Sequence, residues 1–290
     1  MNGRAEAPAA GTVVNALATG TGSAFAIDEH VRAAVDLSAR EDDVQGEIAA
    51  DPDADATLIE RCVELVVDRF GDGQGGTVRT ESDVPMASGL KSSSAAANAA
   101  VLATLDALDV AVSDQRHAAI ARADAARIGV RAARDVGVTV TGAFDDASAS
   151  MLGGVTVTDN REDELLAHER LDAAALVWTP PERAYSADTD VDSCRRVAPV
   201  ADVAADLALA GEYGRAMTVN GFAFCAALDF PTGPMLEALP DVAGVSLSGT
   251  GPSYVALGDE GTLAAVRDRW ADRAGAVWLT TTNHEGARRA

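Results

Sequence analysis

Lysine is almost missing from this sequence: a single one, Lys91, stands against 22 arginines in 290 residues. Basic side chains of both kinds are outnumbered, 23 against 45 carboxylates, which leaves a formal charge of −22. Such a chain offers a phosphate polyanion no sequence-independent attraction, so DNA and RNA are not expected partners. No apolar run approaches the ~18 residues that cross a bilayer, which excludes a membrane-spanning helix. The opening Met1-Asn2-Gly3-Arg4-Ala5-Glu6 lacks the apolar stretch of a secretory signal, and a cytoplasmic protein is the expectation. Cysteine is scarce too. Cys62, Cys194 and Cys225 are odd in number and far apart, with no CxxC or CxxH spacing, so neither a disulfide framework nor a zinc site is expected. The four histidines, His30, His117, His168 and His284, are equally scattered.

What the chain has in excess is aspartate, 30 against 15 glutamates. Dense surface carboxylate with almost no lysine suits concentrated salt, where a Debye length of ~3 Å at 1 M screens self-repulsion. Most acids therefore read as solvated surface, and Lys91 asks for a separate explanation. Length gives a soft prior of about two domains, read here as residues 1–160 and 161–290. Strand-like and helix-like runs are grouped rather than alternating, which predicts an α+β fold. Strands are expected at 12–17, 31–37, 76–80, 138–142, 155–157, 175–178, before the turn at 246–251, and at 254–257 and 277–279. Helices are expected at 58–70, 92–108, 114–134, 193–211, 214–228 and 263–270.

Three glycine-rich segments could carry chemistry. The first is Pro85-Met86-Ala87-Ser88-Gly89-Leu90-Lys91-Ser92-Ser93-Ser94-Ala95-Ala96, a loop of small residues running into an alanine-rich helix. Backbone N–H groups and the positive helix end converge on an anion there, and Lys91 adds a point charge where a phosphate would lie. A plain serine-rich helix cap is the bland alternative. The loop is not a Walker A motif, because Leu90 precedes the lysine where glycine is required. Ser88-Gly89-Leu90-Lys91 also fits the SxxK of serine acyl-enzymes, but no second lysine exists to supply their KTG element. The second segment runs from Thr141-Gly142-Ala143-Phe144 through Asp145-Asp146 to Gly153-Gly154. Either aspartate could accept an alcohol proton, as kinases arrange at the incoming hydroxyl, and the other could cap a short helix. The third segment is Ser248-Gly249-Thr250-Gly251, weak evidence by itself.

Taken together and in this order, the three segments resemble the GHMP kinases. Pro85, Gly89, Leu90, Ser92 and Ser93 match that superfamily's nucleotide loop, and Ser248-Gly249-Thr250-Gly251 matches its third motif. Lysine in place of the usual glycine in Gly89-Leu90-Lys91-Ser92-Ser93-Ser94-Ala95 is similar to the archaeal-type shikimate kinases, as are Asn15 to Gly20 and Thr139 to Ala147. The salt-adapted composition suits a haloarchaeal member. The resemblance implies an N-terminal domain like the second domain of ribosomal protein S5, a ferredoxin-like C-terminal domain, and a site between them. It implies small-molecule partners, ATP and shikimate, with Mg2+ as cofactor, and 3-phosphoshikimate as product on the route to chorismate and the aromatic amino acids.

Carried over by position, Met86 to Ala96 would wrap the ATP phosphates. The catalytic base would lie seven residues before the glycine pair, at Asp146. A magnesium-binding acid eleven residues earlier would be Asp135, with Ser94 or a neighbouring serine completing the metal shell. Asp145, Gly249, Thr250 and Gly251 would stand on the substrate side. The carboxylate of shikimate calls for an arginine, with Arg183, Arg215, Arg288 and Arg289 as candidates. Homoserine or mevalonate as acceptor, or an inert nucleotide-binding scaffold, are the competing readings. The oligomeric state, a homo-oligomer included, is left open.

Overall fold

The structure, a computed structural model, describes residues 1–115, 118–182 and 189–290. β1 (Asn2–Val14) and β2 (Thr21–Ser38) pair antiparallel along most of their length. β3 (Val44–Ile48), α1 (Thr57–Phe70) and β4 (Gly75–Ser82) form a crossover unit with parallel strands, and β4 lies along β2. Apolar side chains at helical spacing let α1 bury Ile59, Cys62, Leu65 and Val66. α2 (Ser92–Ala107), α3 (Arg122–Asp135) and α4 (Phe144–Leu152) follow, then the hairpin of β5 (Val155–Asp159) and β6 (Glu164–Glu169), with β5 also bonded to β2.

A second sheet begins with β7 (Ala174–Thr179). After α5 (Val191–Arg196), α6 (Ala198–Leu209), α7 (Tyr213–Leu228) and α8 (Gly233–Ala238) come β8 (Gly244–Leu247), β9 (Tyr254–Gly258), α9 (Glu260–Ala271) and β10 (Ala276–Thr281). The strand order β10-β7-β9-β8, antiparallel throughout, is a ferredoxin-like arrangement. The chain then returns to the first sheet, where β11 (Arg288–Arg289) pairs with β1. The α+β expectation holds, and so does the ferredoxin-like second half. One apolar cluster takes Val13, Phe25 and Val157 from the first sheet and Val177 and Val255 from the second, with Ala204 and Met217 of α6 and α7. Burying these faces against each other joins the two halves through a shared core.

Several local expectations change. The alanine-rich helix α2 is enclosed on every side from Ala97 to Leu105. Its alanines admit close neighbours: a Cβ on Gly3 of β1 would lie 2.0 Å from the Ala103 carbonyl. The helix predicted from residue 114 starts at Arg122, whose N–H donates to the Asp114 carboxylate at 3.1 Å. Residues 138–142, expected as a strand, form a loop between α3 and α4. Val138 and Val140 are exposed and no strand among the described residues lies alongside, so their alternation has no sheet face to fill. The expected domain division at residue 160 falls inside the β5–β6 hairpin, and the change from one sheet to the other comes between β6 and β7. No helix among the described residues is long and apolar enough to cross a membrane. All three cysteines are buried and free.

Candidate active site

The loop ahead of α2 has an unusual backbone. Ala87, Gly89 and Lys91 all have positive φ, at 54°, 83° and 64°, alternating with ordinary residues. Alternation of this kind turns successive N–H groups toward a common concavity, a nest for an anion. α2 begins at Ser92 with no side chain capping it, so its first N–H groups are left open toward the end of the loop. Leu90 is fully buried and anchors the loop in the shared core, where its carbonyl accepts from the Ala10 N–H at 3.1 Å.

The third glycine segment sets the loop's shape. Ser248 Oγ donates to the Gly89 carbonyl at 2.8 Å, and the Ser253 N–H donates to the Ser88 carbonyl at 3.1 Å. Contact is so close that a Cβ on Gly89 would lie 2.3 Å from the Ser248 carbonyl oxygen and 2.7 Å from that of Gly251. The segment itself is held from β1 and the residue after it: the Gly249 N–H donates to Thr12 Oγ1 at 2.7 Å, and Asn15 Nδ2 donates to the Gly249 carbonyl at 2.9 Å. Gly249 lies beside the lysine, since a Cβ there would be 2.9 Å from Lys91 Nζ. Gly249 and Gly251 thus wall the loop ahead of α2, with Thr250 between them.

Lys91 reaches across to α4. Its ammonium nitrogen is 3.0 Å from Asp146 Oδ1, and both side chains are almost wholly enclosed. That oxygen has no directed hydrogen bond, so the contact is one of charge. Asp145 and Asp146 occupy the first turn of α4, where the helix dipole favours negative charge. Asn98 of α2 fixes α4 in place by donating from Nδ2 to the Ala147 carbonyl at 2.9 Å. Asp145 points away from solvent. Asn160 Nδ2 donates to its Oδ1 at 2.7 Å, while a Cβ on Gly22 would be 2.5 Å from Oδ2. Burial, and next the neighbouring Asp146 charge, push the Asp145 carboxyl up to about 7; Lys91 and the Asn160 hydrogen bond oppose the rise.

Of the residues expected at the site, the loop 86–96, the aspartate pair and the 248–251 segment come together. Asp135 does not join them: its carboxylate is taken by Arg61 at 2.8 Å, with Arg131 at 4.0 Å. No group of three or more His, Cys, Asp or Glu side chains that could hold a metal occurs among the described residues. Arg215 is paired with Glu212, Arg288 with Glu6 and Glu285, and Arg289 with Asp106; Arg183 lies outside the described residues. Sequence reading missed Thr12 and Asn160. Thr-Asp-Asn-Arg at the end of β5 reads as a turn, and only the fold shows Asn160 buried and turned onto Asp145.

The GHMP kinases N terminal domain family matches residues 57–154, from the start of α1 to the glycine pair after α4. A shikimate kinase of Halobacterium salinarum is 65% identical over 288 residues, covering 99% of both chains. A shikimate kinase of Methanosarcina mazei is 50% identical over 290 residues, covering 99% of this chain and 96% of that one. Among solved structures, homoserine kinase from Cytophaga hutchinsonii superposes with a TM-score of 0.76 at 17% identity, covering 100% of this chain and 97% of that one.

Proposed function

The chain belongs to the shikimate kinases built on the GHMP fold, and from that premise we propose that it transfers the γ-phosphoryl group of ATP to the 3-hydroxyl of shikimate. The observation that carries the reading is the contact of Lys91 with Asp146 at 3.0 Å, which ties an anion nest at the start of α2 to a carboxylate on α4. Phosphoryl transfer asks a protein mainly for positioning and charge. The N–H groups of residues 86–96 and the α2 terminus supply donors for the phosphates. Asp146, paired with the lysine, takes the proton of the attacking hydroxyl, so the alcohol oxygen gains the phosphoryl group and ADP leaves. The ammonium of Lys91 stands between that carboxylate and the phosphates, screening one negative group from the other.

The donor set fits a magnesium nucleotide: hydroxyl oxygens of Ser92 to Ser94 beside an uncapped helix end, without a dense carboxylate cage. Ser94, or a neighbouring serine, would hold Mg2+, which neutralises phosphate charge when bound. Asp135 is left out of that shell because Arg61 occupies its carboxylate. Residues up to β6 form the nucleotide-binding half in this reading, with the ferredoxin-like half opposite, and the protein works in the cytoplasm on small molecules alone.

The test is a coupled ADP-release assay at high salt with shikimate, homoserine or mevalonate as acceptor. Turnover with shikimate alone is expected. Turnover only with another alcohol would overturn the substrate, and ATP binding without transfer to any of them would overturn the enzyme.

A further inference from the structure

Among the described residues, two adjacent carboxylates sit in one nearly closed site with a single cation, Lys91. The geometry divides them. Lys91 meets Asp146, 3.0 Å from Oδ1, and makes no ion pair with Asp145. Asp145 is packed instead among neutral groups. β2 brings Gly22 against Oδ2, and on β5 Thr156 Oγ1 donates to the Asp145 backbone carbonyl at 3.3 Å while Thr158 Oγ1 donates to Asn160 Oδ1 at 2.7 Å. Asn160 closes the ring by accepting from the Asp145 N–H at 3.1 Å while donating to its carboxylate at 2.7 Å. The charged groups of α3 stop short of it. Arg134 ends on the Asn160 carbonyl and Asp163, and Arg127 lies over the Phe144 ring. Among the described residues, the charges facing Asp145 are thus Asp146 on its own helix and Lys91 at the start of α2.

We propose that Asp145 is a positioning residue that carries a proton while the enzyme works, so that Asp146 is the one ionised carboxylate of the pair and keeps Lys91 to itself. This rests on the assignment of Asp146 as base. A second bare carboxylate beside the first would draw the ammonium off Asp146 and set another negative charge near the incoming phosphates. The upward push on the Asp145 carboxyl by burial and by Asp146 agrees with the same division. Asn160 has the matching role of holding the uncharged group in place through an amide that serves both its N–H and its carboxyl oxygen.

Two measurements test it. In ligand-free protein, 13C spectra of the aspartate carboxyls should show one buried carboxyl titrating near neutrality, and that signal should vanish in Asp145→Asn. In steady-state kinetics, kcat/KM for ATP should fall as pH rises through neutrality in the wild type, and Asp145→Asn, fixed in the uncharged form, should abolish that fall. Asp145→Glu, which keeps the charge and crowds Gly22, should not. The proposal is overturned if no carboxyl titrates near neutrality, or if Asp145→Asn keeps the alkaline fall. It is overturned equally if that variant loses turnover at every pH as severely as Asp146→Asn. An enzyme inactive toward shikimate would sink the substrate reading, yet the spectra of the unliganded protein would still decide where the proton sits.

Discussion

Replacing Asp145 with asparagine should make the folded protein more stable, and by an amount that depends on pH. An exposed aspartate in the unfolded chain titrates near 3.8, whereas burial and Asp146 push the folded carboxyl up to about 7. Between those values the folded state binds a proton that the unfolded state does not, so wild-type stability declines as pH climbs through this window and levels off above it. Each pH unit in the window is worth about 1.4 kcal/mol. From about pH 5.5 to pH 8 roughly one and a half units of the window are traversed, a decline of about 2 kcal/mol. The amide in the Asp145→Asn variant does not titrate, and its oxygen can still accept from Asn160. The variant's advantage should therefore widen by about 2 kcal/mol over that range and stay constant above it. Denaturant unfolding of both proteins at three pH values in molar salt measures this, since a buried pair is little screened. A difference that does not change with pH would refute the reasoning, because it would mean that Asp145 ionises as freely in the folded protein as in the unfolded chain.

Other substitutions probe the rest of the site. Asp146→Asn should lower turnover by ~10²–10⁴-fold with ATP affinity near normal, read by kcat against nucleotide titration; an unchanged rate would remove Asp146 as base. Lys91→Met should weaken ATP binding or turnover, and Lys91→Arg should rescue poorly, because the planar fork must fit beside Gly249, where space is already short. Gly89→Ala demands a strained backbone, worth about 1–3 kcal/mol, and drives a methyl into two carbonyl oxygens. It should lower the unfolding midpoint and abolish nucleotide binding together. With a charge of −22, the midpoint should rise steeply between low and molar KCl, and a flat response would contradict the salt-adapted reading.

The chemistry-bearing segments were legible because each is local. Gly89 and the lone Lys91 mark a loop feeding a helix, and Asp145-Asp146 precede a glycine pair, whatever the rest of the chain does. Secondary structure was legible where apolar spacing met a core, as in α1. It misled at Val138 to Thr141, whose alternation faces solvent. Positive φ at Ala87 and Lys91 could not be read, because neither residue favours it and the contact that enforces the loop comes from residues 248–253. Asp135 shows the same limit. The resemblance to the GHMP kinases pointed it at a metal, but a motif carried over by position takes no account of Arg61, which lies on another helix.

The hydrogen bonds from Ser248 and Ser253 to Gly89 and Ser88 span some 160 residues of sequence. A ribosome would thus release the first half of the chain well before the template for the loop proposed to bind phosphate exists. A nascent N-terminal half, even with its sheet and helices assembled, should be blind to nucleotide. ATP would then report on completion of the whole polypeptide, and ligand rescue of a damaged variant should work after synthesis ends and not during it.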